Sequence, residues 1–264
     1  MQAKIHRSPI LCIGGLDPSG GAGLQADIET IAACGGHALP IATCLTAQNT
    51  STVDGISPVN PDFILNQADL LLKDFKISGC KIGVIPNTSI VTAIAEIISH
   101  LQGVPIVFDP VISASSGTRF TEVETIEAMK KYLFPHTSVV TPNHFEIAEL
   151  TQRDRDIETQ CEMLCDYGSE YVLLTGGDCL TPMVTNSLYS SEGLIREYTW
   201  QRLSNHYHGS GCTLSSAIST YLALGADIET AAEKAQLFTL HALEHAESLG
   251  TGQWIPNRLI TKSD

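Results

Sequence analysis

No stretch of this 264-residue chain stays apolar long enough to cross a membrane, since a spanning helix needs about 20 such residues. The apolar run at 9–13, near Lys4 and Arg7, is also too short for a signal sequence. A cytoplasmic location and no membrane partner are therefore expected. Basic charge is scarce as well: 15 Lys and Arg face 29 Asp and Glu, a formal net charge of −14. A phosphate backbone rewards clustered cations, so nucleic acid is excluded as a main partner. A small phosphorylated ligand held by backbone amides is not excluded, and the acidity itself reads as solubility. None of the eight cysteines pairs at C-x-x-C spacing. Cys161 and Cys165 share a helix face by spacing but lack a second pair, which removes a zinc knuckle. The remainder sit mostly among apolar residues, where a thiol behaves as a small hydrophobe in a reducing compartment. G-x-x-x-x-G-K-[ST] is absent, which excludes a P-loop nucleotidase. Repeats, low-complexity tracts and linkers are absent too, so one domain over 1–264 is expected.

What is present is an alternation of short apolar runs with amphipathic ones. Strands are predicted at 10–14, 38–45, 53–59, 81–85, 104–111, 138–141 and 171–174, with a hairpin at 187–190 and 195–201. Helices are predicted at 24–34, 62–75, 88–100, 122–133, 157–167, 212–224 and 228–248. This order implies an α/β fold with a mainly parallel central sheet and helices on both faces. Ligands of such folds gather at the carboxyl ends of the strands. Five polar or glycine-bearing stretches fall at those ends: 15–23, 46–50, 109–111, 141–143 and 175–177.

The most informative stretch is His208-Gly209-Ser210-Gly211-Cys212-Thr213-Leu214, directly before an apolar helix. The first N–H groups of a helix have no internal partner and face the positive end of its dipole. Glycine lets that backbone approach a ligand, so residues 209–212 form a potential anion cradle. Cys212 lies in the same field, which predicts a depressed thiol pKa and a thiolate able to act as base or nucleophile. A Gly-Ser-Gly loop capping an ordinary helix is the plainer reading of the same residues. Gly21-Ala22-Gly23-Leu24-Gln25-Ala26 fits a dinucleotide fingerprint in letters, yet four residues separate it from its strand and no acidic residue answers it.

Asp27 is predicted on the ligand side of the first helix, accepting from a hydroxyl or amine, or else complementing the dipole. Gln48 offers a donor and an acceptor, which suits a ring nitrogen with its neighbouring exocyclic amine, or its own turn. Asn143-x-x-Glu146 is read either as oxygen ligands for a hydrated Mg2+ or as a helix capping box. His206 and His208 flank the cradle and read as loop-positioning residues.

Gly15-x-Asp17-Pro18-Ser19-Gly20-Gly21-Ala22-Gly23-x-Gln25-Ala26-Asp27, Thr46-Ala47-Gln48-Asn49-Thr50 and Gly209-Ser210-Gly211-Cys212-Thr213-Leu214 together resemble the hydroxymethylpyrimidine/phosphomethylpyrimidine kinases of thiamine biosynthesis. The resemblance runs from about residue 10 to 243 and implies a ribokinase-like three-layer α/β/α sandwich. It implies phosphoryl transfer from ATP, with Mg2+, to a hydroxymethyl pyrimidine and then to its monophosphate, by a homodimer. It gives Gly15, Asp27, Gln48 and Val111 to the pyrimidine, and Asn143 and Glu146 to the metal. Thr175, Gly176 and Gly177 fall on the nucleotide side, and Gly209, Ser210, Gly211 and Cys212 form the anion hole and base. The chain departs from the family where Lys is usual near Ser115-Ser116, where Lys-Gly-Gly-His is usual at 175–178, at Val84 and at Leu16. Two cations and a histidine are thus missing along the phosphate path, which bears on the second transfer, whose acceptor is an anion. The other functions considered are a pyridoxal-type vitamin kinase and a non-catalytic pyrimidine-binding regulatory protein.

Overall fold

In a computed structural model the described residues are 7–114, 117–151, 153 and 155–260. Among them runs a nine-stranded sheet in the order β3-β2-β1-β4-β5-β6-β7-β8-β9. Its parallel centre comprises β1 (Ser8–Leu16), β2 (Gly36–Gln48), β4 (Gly79–Ile82), β5 (Ile106–Phe108), β6 (Val139–Val140) and β7 (Tyr171–Leu174). Antiparallel strands close both ends: β3 (Val53–Pro58) on one side, β8 (Met183–Ser190) and β9 (Gly193–Gln201) on the other.

Strand side chains alternate between faces, and the two cores show that alternation. Leu11, Ile13, Ile82, Phe108, Val172 and Leu174 pack on one face. There they meet α2 (Pro61–Asp74), α3 (Thr88–Ser99), α4 (Val123–Tyr132), α5 (His144–Leu150) and α6 (Ile157–Asp166). Ile10, Cys12, Val107 and Leu173 point the other way, toward α1 (Gly23–Ala33), α7 (Ser210–Ala223) and α8 (Ile228–Glu244). The result is the three-layer arrangement expected, with helices on both faces. No helix is long and apolar enough to cross a membrane among the described residues.

Element boundaries differ from expectation where tertiary partners intervene. The last helix ends at Glu244 rather than 248, because Glu247 leaves the helix to exchange backbone hydrogen bonds with Ile255. α7 starts at Ser210, two residues early, with Gly209 as its N-cap in the left-handed region at φ +75°.

The segment after α8 returns Arg258 to the core. Its guanidinium, 2% exposed, donates to Gly21 O at 2.5 Å, Thr213 Oγ1 at 2.8 Å and Glu29 Oε2 at 3.2 Å. One side chain thereby joins the glycine-rich loop, α1 and α7. Arg258→Ala empties a packed site and strands a buried carbonyl, and should lower unfolding free energy by about 2–4 kcal/mol. Urea denaturation checks this, and Arg258→Lys should recover only part of the loss because an ammonium cannot reach all three acceptors.

Candidate functional site

The carboxyl edge of the sheet carries two helix N-termini side by side. A Cβ on Gly209 would stand 2.1 Å from Gly21 O, and one on Gly23, at φ +58°, would stand 2.3 Å from Gly15 O. Glycine is required at both positions by contact as well as by backbone angle. The backbone N–H groups of 209–212 find no acceptor among the described residues, and Gly211 is exposed. The corner is open, with its amides unspent. These are the four residues predicted as the cradle.

Beside it, the glycine-rich loop is held by Asp17. Its carboxylate accepts from Ala22 N at 2.9 Å and Ser19 N at 2.9 Å, and contacts His208 Nε2 at 2.8 Å. Burial acts to raise the Asp17 pKa, but the hydrogen bonds from His208 and Ser19 outweigh it and hold it low. Gln48 at the end of β2 reaches the same imidazole nitrogen, at 3.0 Å. The Gln48 atom at this nitrogen is its amide Nε2, which leaves the carbonyl oxygen and the second N–H of the amide for a ligand. Gln48 and His208 line a cavity of about 520 Å³ between the β2–β3 turn, the loop at 204–208 and residues 252–254. A volume in the range of a few hundred Å³ suits a small molecule. Gly15 lies next to this wall, against Cys44 Sγ and Val84, and half-buried Val111 follows Asp109 at the β5 end. Neither lines the cavity itself.

Under the cradle lies a buried charge cluster. Lys81, 1% exposed on β4, pairs with Asp27 Oδ1 at 2.9 Å and Asp109 Oδ2 at 3.8 Å. Ser216 and Ser215 of α7 donate to Asp27 and Asp109 at 2.7 and 3.1 Å. Burial works against the Lys81 charge, yet Asp27 leads a set of negative neighbours that raise its pKa overall. Burial raises Asp109, and Asp27 adds to this, while Lys81 pulls down. Asp27, expected on the ligand side, is fully buried in the second turn of α1, with Oδ1 turned to the ammonium. Its Oδ2 has no hydrogen-bond partner.

Cys212 corrects its expectation. The thiol was predicted to be depressed by the helix dipole, but it is pushed up to about 12. Desolvation is the chief cause; Lys81 lowers it, while Asp109 and Asp27 raise it further. The dipole's fractional charge is outweighed by the desolvation of the thiol. The thiol lies against Asp109, whose charged form it stabilises.

Asn143 and Glu146 form a full capping box at the start of α5. Asn143 Oδ1 accepts from Glu146 N at 2.8 Å and Glu146 Oε2 from Asn143 N at 2.9 Å. Glu146 is 6% exposed, and burial followed by repulsion from Asp109 raises its carboxyl to about 8. On the adjoining loop Thr175 is half-buried and Gly177 is open, whereas the Gly176 amide is spent on Asn186 Oδ1 at 2.9 Å. Arg202 crosses that loop, donating to the carbonyls of Gly176, Gly177 and Thr181 at 3.2, 2.9 and 2.7 Å. Ser115 and Ser116 lie outside the described residues.

Lys81, Asp109, Asp17, Arg202 and Arg258 carry this site without having been singled out as its residues. One signal was available: a lysine inside the apolar strand Cys80-Lys81-Ile82 must be paired if buried. The arginines gave none: Arg202 binds backbone oxygens that any sequence supplies, and Arg258 finds Gly21 O, Thr213 and Glu29 only after the chain folds back.

The phosphomethylpyrimidine kinase family model matches residues 17–257. The chain is 32% identical over 267 residues to a thiamine biosynthesis bifunctional protein of Geobacter sulfurreducens, covering 100% of this chain and 54% of that protein. It thus spans about half the length of that relative. It is 32% identical to the hydroxymethylpyrimidine/phosphomethylpyrimidine kinase of Escherichia coli, over 95% of this chain and 96% of the other. Among solved structures it is similar to a phosphomethylpyrimidine kinase from Clostridium difficile, at TM-score 0.76 and 31% identity over 90% and 100% of the two chains. It shares the fold of a pyridoxal kinase from Staphylococcus aureus, at TM-score 0.88 and 24% identity over 96% and 94%.

The raised Glu146 carboxyl has a measurable consequence. Its folded value of about 8 lies above the ordinary 4.5, so the folded state holds this proton longer than the unfolded state. Stability from this group is present below the ordinary value and falls as pH climbs between the two. Glu146→Gln removes that dependence. In magnesium-free buffer the variant should gain on the wild type in urea midpoint between about pH 5 and about pH 8.5; an unchanged gap would rule out the raised carboxyl.

Proposed function

Because the chain belongs to the phosphomethylpyrimidine kinase family, we propose that it transfers the γ-phosphoryl group of ATP to the hydroxymethyl oxygen of 4-amino-5-hydroxymethyl-2-methylpyrimidine, and then to the monophosphate. What carries this reading is the open N-terminus of α7, whose amides at 209–212 are unspent beside Cys212. Phosphoryl transfer asks for little besides alignment and donors aimed at the migrating group. Each well-aimed donor contributes about 10²–10³-fold.

In this reading the pyrimidine lies against Gly15 and Val111, with the NH2 of Gln48 toward a ring nitrogen and His208 holding that amide. Gly209, Ser210, Gly211 and Cys212 face the transferring phosphoryl group. With its thiol raised to about 12, Cys212 rests protonated and acts as a relay. As the hydroxyl oxygen bonds phosphorus, its proton passes to the sulfur, and the thiol proton passes to Asp109. Asp109 suits the acceptor role because burial and Asp27 raise its affinity for a proton. Lys81 and Asp27 hold Asp109 in place without touching the substrate. Thr175 and Gly177 border the nucleotide, while Gly176 shapes the loop by packing on Thr185 O.

The donor set fits Mg2+ held through water. Asp27, Asp109 and Glu146 outnumber the single ammonium of Lys81, and Asp109 adds to burial in raising Glu146. The backbone already occupies part of Asn143 and Glu146, which suits an ion that keeps several waters. Asp109, Asn143 and Glu146 would hold such an ion through its waters, and it would supply positive charge to offset that of the phosphates. A homodimer belongs to the same reading, and sedimentation measures it.

The test is ADP release and product mass with the pyrimidine alcohol, its monophosphate and pyridoxal as rival acceptors. The pyrimidine alcohol should turn over fastest; faster turnover of pyridoxal would sink the assignment. Cys212→Ala should lower kcat by about 10²–10⁴-fold, the range for a lost acid–base group. Its Kd for the alcohol should stay nearly unchanged.

A further inference from the structure

A second cluster of chemistry-bearing side chains stands apart from the charge pocket. His144 opens α5 after the β6 end, and Asp178 and Cys179 lie on the loop after β7. Asp178 Oδ1 is 3.1 Å from His144 Nδ1, and Cys179 Sγ is 3.4 Å from the same nitrogen. One ligand atom from each residue can be chosen so that all lie within 4.8 Å of one another. We propose that His144, Asp178 and Cys179 form a three-residue site for a borderline-soft divalent cation of the Zn2+ type, completed by water.

The donors are those that Zn2+ takes: imidazole nitrogen, carboxylate oxygen and thiolate sulfur, at about 2.0–2.3 Å from the metal. A tetrahedron of those bond lengths has edges of roughly 3.4–3.6 Å. The observed separations from the imidazole nitrogen are close to such edges, so sub-ångström adjustments would admit the ion. A hard ion such as Mg2+ would gain little from the sulfur and imidazole. Three protein ligands leave the fourth position to solvent, and the half-buried or exposed setting of all three residues gives the ion access.

Supporting contacts hold the ligands where they are. Asp178 Oδ2 accepts from Phe145 N at 3.2 Å, which fixes the carboxylate beside the start of α5. Arg202 pins the carbonyls of Gly176, Gly177 and Thr181 on either side of the ligand pair. Its charge is thereby turned to backbone oxygens. Partners of this kind, one bond beyond the ligands, orient a metal site. When the ion binds, the Cys179 thiol proton goes to solvent and the sulfur coordinates as thiolate. The ion then bridges the β6–α5 junction to the loop after β7. The proposal is independent of the kinase reading, since its readouts require no turnover.

Co2+ titration of the full chain followed by absorption spectroscopy provides the test, with Zn2+ as competitor. The wild type should show a thiolate-to-cobalt charge-transfer band that one equivalent of Zn2+ abolishes. Cys179→Ser should lose the band. Its loss in Cys212→Ser would assign the thiolate to the pocket under α7 and overturn the proposal. His144→Gln should weaken Co2+ affinity by at least about 10–100-fold, the cost of disturbing even an outer partner. Zn2+ should also raise the wild-type Tm and not that of Cys179→Ser. Absence of the band in the wild type, or its survival in Cys179→Ser, would equally overturn the site.

Discussion

Lys81 between Asp27 and Asp109 is the constraint from which the rest of the carboxyl edge follows. Burying an ammonium costs several kcal/mol, and the fold offsets that only by bringing carboxylates from two other elements to it. Asp27 comes from α1 and Asp109 from the end of β5, at 2.9 and 3.8 Å. Ser216 and Ser215 of α7 add hydroxyl donors to Asp27 Oδ1 and Asp109 Oδ2, while Asp27 Oδ2 stays without a partner. Four elements are thereby registered on one nitrogen. α1 and α7 cannot slide along the sheet without stranding a charge, so their N-termini stay adjacent. A hydrophobic contact of equal area would allow sliding; an ion pair with hydroxyl support does not.

The cradle inherits its position from this cluster and its openness from glycine. Gly209 runs so close to Gly21 that a methyl group would meet a carbonyl oxygen. Arg258 takes that same Gly21 oxygen at 2.5 Å, which keeps the loop's acceptors turned from the ligand side. Asp17 does the same for the loop's amides and for His208. The amides of 209–212 are left unspent because the groups that would otherwise bind them are engaged elsewhere. The anion site is thus a consequence of how fully its surroundings are satisfied.

Much of this was legible before any coordinates. The alternating pattern placed the layers and the strand order's parallel centre, because period-2 and helical runs follow from burial on one face. The unpaired amides at Gly209–Cys212 were legible because a glycine-bearing helix start states its own geometry. The partners of Asp27 were not legible, because position in a helix says which turn a residue occupies, and only its distant partner says which way it points. Lys81 lies 54 residues away in sequence and Ser216 189. Arg258 and Glu29 are 229 apart, beyond any spacing rule. The Cys212 thiol was misjudged for a related reason. The dipole is visible in sequence, whereas desolvation and two converging carboxylates exist only after folding. His144, Asp178 and Cys179 show the same limit, with 33 residues or more between the two loops.

The charge of the site bears on how an acidic protein handles an anionic group. Within the pocket three carboxylates, Asp27, Asp109 and Glu146, face one ammonium, while Arg202 is spent on backbone carbonyls and Arg258 on Gly21 O, Thr213 and the Glu29 carboxylate. Side chains therefore offer the migrating group no net positive field. In the proposed transfer, attraction would come from the amide dipoles of α7 and from a cation bound with the nucleotide. That division has a physical advantage. A pocket of fixed cations would hold a phosphate product as firmly as it held the transition state, giving uniform binding without acceleration. Amides fixed in one direction favour the geometry in which charge would develop in the proposed transfer. The acidic pocket also keeps Asp109 and Glu146 proton-hungry until a cation approaches. Proton acceptance is thereby tied to the charge state of the loaded site, in a corner where the lysines and histidine usual along this path are missing.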